Sequence, residues 1–228
     1  MQLDDNDGAA PVKRIQQNLL AKSERSLLTW LCARMPVWVT PDVLTTIGLA
    51  GAVMTMAGYW ASTLDQHWLW LAIAGFVVNW FGDSLDGSLA RFRKIERPSF
   101  GYFIDHSCDG LATLLILTGM GLSPYIRLDV ALIALAGYLL LSIHAFLSVR
   151  VLGELKLSHL GAGPTELRLL LIALTLAMLA LGTQPLSLAP VSAFDLFVGG
   201  VGIALIILFV VQTIRTARRI AGIENGVA

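Results

Sequence analysis

Long apolar runs separated by short polar segments make up most of the chain. A run of about 20 apolar residues is long enough, as a helix, to cross the hydrocarbon core of a bilayer. The runs predict six membrane-spanning helices, at residues 41–61, 67–91, 100–122, 130–151, 164–182 and 193–214. Thr40 followed by Pro41 is typical of a helix start and marks the beginning of the first span. We therefore expect an all-α integral membrane protein.

The segment before the first span, residues 12–36, mixes apolar and basic positions. Several leucines and Trp30 are interspersed with Lys22, Arg25 and other basic residues. This pattern predicts an amphipathic helix that lies in the plane of the membrane interface. The alternative is a flexible cytosolic tail.

Basic residues are distributed very unevenly between the two sides of the predicted spans. Of the 16 Lys and Arg residues, all but Arg127 fall on one side. Because cytoplasmic loops carry the excess of Lys and Arg, we expect both termini to be cytoplasmic in a bacterial inner membrane. The predicted domains are a tail with the interfacial helix (1–39), a six-helix transmembrane catalytic domain (40–218) and a cytosolic C-terminal tail (219–228).

Composition and charge agree with a membrane protein and exclude some partners. Hydrophobic residues make up 56% of the chain and charged residues 14%, against about 25% charged in soluble domains. The formal net charge is zero, so nothing indicates a nucleic-acid surface. Cys32 and Cys108 lie far apart, form no metal-binding or disulfide pattern, and are expected to be free thiols.

Four aspartates interrupt the otherwise apolar second and third spans, inside the stretch GDSLDGSLARFRKIERPSFGYFIDHSCD at residues 82–109. Helical periodicity places two sets of residues on one face each: Asp83, Asp86, Gly87, Ala90 and Arg91 in the first helix, and Gly101, Asp105 and Asp109 in the second. A short basic segment joins the helices, so the two acidic faces are expected to converge on the cytoplasmic side.

Converging carboxylates near a membrane need a counter-charge, since even one Asp at mid-helix costs about 2.5–3.5 kcal/mol. Oxygen ligands favour Mg²⁺ or Mn²⁺ over zinc, and four acids can hold two such ions for phosphoryl transfer. Gly87 and Gly101 would leave room for a ligand, and Arg91 would suit a diphosphate. In the alternative, the glycines serve helix packing and the acids merely face the cytosol. Helix packing does not require four acids on two matching faces, so this alternative leaves the spacing unexplained.

The complete spacing, Asp83-x2-Asp86-Gly87-x2-Ala90-Arg91-x9-Gly101-x3-Asp105-x3-Asp109, resembles the signature of the CDP-alcohol phosphotransferase family. The resemblance implies six transmembrane helices, a homodimer and two divalent cations. It also implies a reaction in which a CDP-linked donor passes its phospho-group to an acceptor hydroxyl and releases CMP.

The same resemblance implies roles for individual positions. Asp83, Asp86 and Asp105 would be metal ligands, and Asp109 would be a metal-bridging ligand or the catalytic base. The residues implied to line the nucleotide site are Gly87, Ala90, Arg91 and Gly101. The stretch TPDVLT at residues 40–45 resembles a cytidine-side segment of the family, which adds Asp42 and Thr45.

Two shorter resemblances favour a CDP-choline-like or CDP-ethanolamine-like donor with a diacylglycerol-type acceptor. DHSCDG at residues 105–110 resembles Asp-His-Gly-Cys-Asp of the eukaryotic choline and ethanolamine phosphotransferases, and GPTE at residues 163–166 resembles their Thr-Glu pair. They imply that His106 and Glu166 form an acid–base pair that activates the lipid hydroxyl. Alternatively, His106 supports an aspartate and Glu166 interacts with its helix dipole.

Other readings remain open. The short chain is more like bacterial members, most of which transfer a phosphatidyl group from CDP-diacylglycerol to glycerol phosphate, inositol, inositol phosphate or serine. A phosphorylated acceptor would need basic side chains, and Arg150, Lys156 and Arg168 are the candidates. From another class, a Mg²⁺ channel or transporter would distribute acids across the membrane, whereas these acids gather at one side.

Overall fold

The computed structural model describes residues 13–14, 21–152, 154–155, 163–183 and 191–225. Within these ranges the protein is built almost entirely of helices, as predicted. They are α1 (Ala21–Cys32), α2 (Pro41–Ala61), α3 (Leu69–Arg93), α4 (Pro98–Gly121), α5 (Leu128–Leu152), α6 (Pro164–Leu181) and α7 (Ala193–Glu224). A 3₁₀ turn, Gln66–Trp68, leads into α3, and two short strands, β1 (Lys13–Arg14) and β2 (Glu154–Leu155), pair in parallel.

The observed helices lie close to the predicted ones. α2 has the predicted bounds and begins as expected, with the Thr40 hydroxyl accepting a hydrogen bond from the amide of Val43. At the N-terminal side, α1 lies within the predicted amphipathic segment 12–36, of which residue 12 and residues 15–20 fall outside the described residues. At the C-terminal side, α7 continues past residue 214 to Glu224, through part of the predicted tail.

Among the described residues, five helical segments are long and apolar enough to cross a membrane: Pro41–Ala61, Gln66–Arg93, Leu128–Leu152, Pro164–Leu181 and Ala193–Glu224. The protein is an integral membrane protein. The other predicted span corresponds to α4, which has 24 residues, but its first half carries Asp105, His106 and Asp109. These polar residues lower the average apolarity of the helix.

Helices α2 and α3 pack so closely that their backbones touch through glycines. A Cβ atom on Gly82 would lie 2.2 Å from the amide nitrogen of Gly48, and one on Gly51 would lie 2.3 Å from that of Asn79. Further along the pair, a Cβ on Gly58 would lie 2.3 Å from the amide nitrogen of Ala72. Small residues therefore set the separation of these two helices.

Two arginines where α3 leads into α4 hold one end of the bundle together. This end, where α3 ends and α2 and α4 begin, is called the site end below. The Arg93 guanidinium donates to the carbonyls of Val39 at 2.6 Å and Pro36 at 2.8 Å, which ties the α1–α2 link to the end of α3. Arg97, just before α4, forms an ion pair with Asp42 at the start of α2. The starts of α2 and α4 and the end of α3 are thereby brought together.

The main hydrophobic core joins α2, α3 and α4 to α5, α6 and α7. Buried Tyr59 of α2 and Thr175 of α6 share a hydrogen bond of 2.5 Å between their hydroxyls. Close packing of α5 against α7 uses Gly137, whose Cβ would lie 2.8 Å from the carbonyl oxygen of Gly202. A smaller cluster around Leu44, Leu85 and Leu89 packs α1 beside the site end.

Candidate active site

A cleft of about 260 Å³, including its open mouth, lies between α2, α3 and α4. The residues that line it are Thr45, Gly48, Leu49, Asn79, Asp83, Asp86, Asp105, Cys108, Asp109 and Ala112. All four predicted aspartates face this one cleft. Because Asp83 and Asp86 are on α3 while Asp105 and Asp109 are on α4, the convergence of two acidic helix faces is observed as the periodicity indicated.

Three of the four carboxylates form a tight group. Asp83, Asp105 and Asp109 each place one oxygen within 4.8 Å of the others, and each side chain is only partly buried. An all-oxygen donor set of this kind fits a hard divalent cation such as Mg²⁺ or Mn²⁺. The geometry therefore supports the predicted metal ligands at these positions.

Asp86 is held differently from the other three. Its carboxylate accepts hydrogen bonds from the Thr45 hydroxyl at 2.7 Å and from the amide of Gly87, and the residue is 8% exposed. It lines the cleft but does not belong to the three-carboxylate group. A carboxylate has about four lone-pair sites, so these two bonds leave acceptor capacity for a further ligand.

Arg168 of α6 supplies a positive charge at the cluster. Its guanidinium donates to Asp83 Oδ2 at 2.6 Å and to the side-chain oxygen of Asn79 at 2.9 Å. Asn79 in turn donates to the carbonyl of Gly48 at 2.9 Å, so the network reaches from α6 through α3 to α2. A planar guanidinium is suited to such two-point contacts, and a lysine would not replace it.

The predicted nucleotide-binding residues differ in how open they are. Gly101 has no atom within 4 Å of the place where a Cβ would stand, whereas at Gly87 the guanidinium of Arg91 lies 3.3 Å from that place. Arg91 also donates to Ser88 at 3.3 Å, and Ala90 continues its face of α3. Gly101 therefore provides open space, but Gly87 is covered by the side chain predicted to bind diphosphate.

His106 packs against neighbouring aromatic rings beside the cleft. Its ring lies 4.3 Å from that of Tyr102 and 5.1 Å from that of Phe146, centroid to centroid. Its Nδ1 is 2.9 Å from the Tyr102 carbonyl oxygen and 3.5 Å from Asp105 Oδ2. These contacts agree with the alternative in which His106 supports an aspartate.

Glu166 lies in the first turn of α6 and caps that helix. Its Oε2 accepts a hydrogen bond from the amide of Gly163 at 3.0 Å, which is the N-terminal role that the alternative reading expected. The pairing of Glu166 with His106 in catalysis stays a prediction.

The three candidate acceptor-binding residues have different positions. Arg168 lies at the aspartate cluster, as described above. Arg150 is exposed near the end of α5, and Lys156 falls outside the described residues.

Two features of the site were not anticipated. Cys108 and Ala112 line the cleft, and their spacing from Asp105 and Asp109 on one helical face was the signal that would have found them. Glu24 of α1 accepts hydrogen bonds from α3 and α6 close behind the cleft. No local pattern marks such a long-range contact.

The family relationship rests on a match to most of the chain. The profile of the CDP-alcohol phosphatidyltransferase family matches residues 38–215, which include the cleft and all four aspartates. The chain belongs to this family. The family membership that the sequence motif indicated is thereby confirmed.

The relatives include cholinephosphotransferases and a phosphatidylinositol phosphate synthase. The chain is 30% identical over 125 residues to cholinephosphotransferase 1 of Danio rerio and 29% identical over 129 residues to that of Homo sapiens, with 49% and 50% of this chain aligned. It is 40% identical over 85 residues, 37% of this chain, to phosphatidylinositol phosphate synthase of Cutibacterium acnes. The aligned stretches span only 32%, 32% and 38% of these relatives.

Proposed function

We propose that this protein cleaves the diphosphate of a CDP-linked amino alcohol of the choline or ethanolamine type. It joins the phospho-group to the hydroxyl of a diacylglycerol-type lipid and releases CMP. The observation that carries the proposal is the group of Asp83, Asp105 and Asp109 in an open cleft of a family member.

Two divalent cations, Mg²⁺ or Mn²⁺, would be held by Asp83, Asp105 and Asp109, with Asp86 as a further ligand. When bound, such ions supply Lewis-acid stabilisation of the charge on a transferring phosphoryl group.

The chain's own residues orient the donor. Thr45 fixes one oxygen of Asp86 from α2, and Asp42 is held by Arg97 at the rim. The open space beside Gly101 accommodates a flat base or sugar, and Arg91 turns from Gly87 towards the diphosphate. In the proposal these residues would hold the donor with its diphosphate next to the aspartates.

Activation of the acceptor requires removal of its hydroxyl proton. In the proposal Glu166 and His106 act as the acid–base pair, with Asp109 as the alternative base. His106 Nδ1 lies next to the Tyr102 carbonyl, which would favour the tautomer with the proton on Nδ1 and leave Nε2 as the acceptor. Arg168 next to Asp83 stabilises the negative charge in the cleft.

Several cholinephosphotransferases among the relatives support the choline-like donor. Because a phosphatidylinositol phosphate synthase is also similar, the second candidate function is transfer from CDP-diacylglycerol to a small polar alcohol. In that function Arg150, Lys156 and Arg168 would bind the acceptor phosphate.

The placement in the membrane is part of the same proposal. Six spans, with α4 as the third, would put the cleft and both termini on the cytoplasmic side of a bacterial inner membrane. The exposed Leu27 and Trp30 of α1 would rest on the interface, and two copies would form a homodimer in the bilayer.

CMP release by the purified protein with Mg²⁺ tests the reaction. One panel pairs CDP-choline or CDP-ethanolamine with diacylglycerol, and the other pairs CDP-diacylglycerol with serine, glycerol 3-phosphate, inositol or inositol phosphate. We expect turnover in the first panel. Turnover in the second panel alone would reject the His106–Glu166 assignment, and metal flux into vesicles without any CMP release would favour a transporter.

A further inference from the structure

Glu24 of α1 lies behind the cleft at the meeting point of three helices. Its Oε1 accepts hydrogen bonds from Thr165 Oγ1 of α6 at 2.6 Å and from Trp80 Nε1 of α3 at 3.1 Å, with Ser84 Oγ of α3 at 3.5 Å. Neither the metal site nor the proposed proton transfer uses this carboxylate. A charged acceptor shared by donors from two other helices is a strong long-range connection.

The donors on α3 lie next to the residues of α3 that bond to Arg168. Trp80 and Ser84 directly follow Asn79 and Asp83 in sequence, so α3 presents two adjacent rows one residue apart. The row of Asn79 and Asp83 bonds to Arg168, and the row of Trp80 and Ser84 bonds to Glu24. Helix α6 is therefore joined to α3 directly at Arg168 and through Glu24 at Thr165.

The two connections lie within the first turns of α6, on either side of Glu166. Thr165 comes directly before Glu166, and Arg168 lies about one helical turn after Thr165. Because Gly163 has no side chain to cap this helix, Glu166 caps it from within. The connection through Thr165 thus fixes the turn that carries the proposed acceptor-side groups.

From these contacts we infer that Glu24 is a positioning residue for the acceptor half of the reaction. It holds the first turn of α6 at a fixed place relative to the aspartates, and it does so from a helix outside the membrane-spanning set. The donor half is built on α2, α3 and α4, and α3 is also held to α2 by the Thr45–Asp86 and Asn79–Gly48 hydrogen bonds, which do not involve Glu24. The inference rests on the proposed function, and it assigns α1 a role beyond membrane contact.

Substituting the acceptor carboxylate tests this role. Glu24→Ala removes the shared acceptor and is expected to raise KM for the lipid acceptor about tenfold, with KM for the CDP-linked donor within about twofold. Glu24→Gln keeps a carbonyl oxygen at the same place and is expected to restore most of the acceptor affinity. Glu96→Ala is the matched control, since this exposed acid makes no hydrogen bond or ion pair within the described part of the chain.

A double-mutant cycle locates the effect at α6. Thr165→Val removes the donor while keeping the shape of the side chain, and we expect its effect to be non-additive with that of Glu24→Ala. Additive effects would mean that Glu24 acts through some other contact and would overturn the inference. An equal rise in both KM values, or failure of Glu24→Gln to restore acceptor affinity, would overturn it as well.

Hydrogen exchange measured on the whole chain separates this inference from the proposed reaction. Peptides covering the first turns of α6 are expected to exchange about tenfold faster in Glu24→Ala than in the unsubstituted protein, and unchanged in Glu96→Ala. If the unsubstituted protein releases no CMP, the proposed function fails while exchange still decides whether Glu24 holds α6. Unchanged exchange in Glu24→Ala would reject the role of Glu24.

Discussion

At the scale of single residues, Asp83 shows how the site accommodates crowded negative charge. Its Oδ2 accepts a bond from Arg168 at 2.6 Å, yet the side chain also contributes an oxygen to the group with Asp105 and Asp109. A carboxylate has enough lone-pair sites for both. Arg168 therefore compensates part of the negative charge of the cluster and fixes the orientation of the Asp83 carboxylate.

Asp109 provides the sharpest test at this scale. Asp109→Asn keeps the size of the side chain but removes its charge and one acceptor oxygen. We expect CMP release to fall by about 10²–10⁴-fold and Mn²⁺ affinity to fall with it, as measured by titration calorimetry.

The control for Asp109→Asn is Asp129→Asn. Asp129 is an exposed acid at the start of α5 that pairs with Arg127 at 2.7 Å, away from the cleft. Its substitution is expected to leave CMP release and Mn²⁺ affinity unchanged. Equal losses in the two variants would contradict a metal role for Asp109.

At the scale of elements, the pairing of α2 with α3 forms one wall of the cleft. The contact between Thr45 and Asp86 spans these helices, and so does the bond from Asn79 to the Gly48 carbonyl. Both bonds require the backbones to approach as closely as Gly82 and Gly48 allow. The glycines of this pair thus contribute to the site through packing, even where they do not face a ligand.

Gly82→Ala is predicted to separate the two helices. The added Cβ would lie 2.2 Å from the Gly48 amide nitrogen and 2.4 Å from the Leu44 carbonyl oxygen, both of which belong to rigid backbone. We expect a loss of about 1–3 kcal/mol of stability, seen as a lower thermal unfolding temperature in detergent, together with a loss of CMP release.

Gly110→Ala is the corresponding control on α4, because nothing lies within 4 Å of the place of its Cβ. Because alanine has a greater helix propensity than glycine, we expect the unfolding temperature of Gly110→Ala to be equal to or higher than that of the unsubstituted protein. A decrease as large as that of Gly82→Ala would show that the helix separation is not the cause.

At the scale of the whole molecule, charge and apolar surface determine the proposed orientation. The five apolar helical segments expose large hydrophobic side chains such as Val53, Ile143 and Ile207, as expected for surfaces that face lipid. Arg91, Arg93 and Arg97 lie at the end of the bundle that carries the cleft. Under the positive-inside rule, we therefore propose that this end faces the cytoplasm.

Reporter fusions in a bacterial host test this orientation. A fluorescent protein that matures only in the cytoplasm is expected to fluoresce when fused after Asn225 and to stay dark when fused after Leu64, which follows α2. A periplasm-active alkaline phosphatase fused at the same positions should give the opposite pattern. Fluorescence from the fusion after Leu64 would contradict the orientation.

The sequence by itself determined the helices and the acidic faces. A membrane helix satisfies its backbone hydrogen bonds internally, so a run of apolar residues and a cap such as Thr40 suffice to locate it. Helical periodicity likewise placed Asp83 with Asp86 and Asp105 with Asp109, because residues three or four apart share a face. The short link between α3 and α4 made their meeting predictable.

Only the tertiary structure decided how these helices are rotated and which distant residues meet. The pairs Arg168–Asp83, Thr45–Asp86 and Glu24–Thr165 join residues that are 85, 41 and 141 positions apart. Such pairs depend on how closely α2 and α3 pack and on the register of α6. The packing distance and the register are set by side-chain packing across the whole bundle. A local pattern of residues does not predict them.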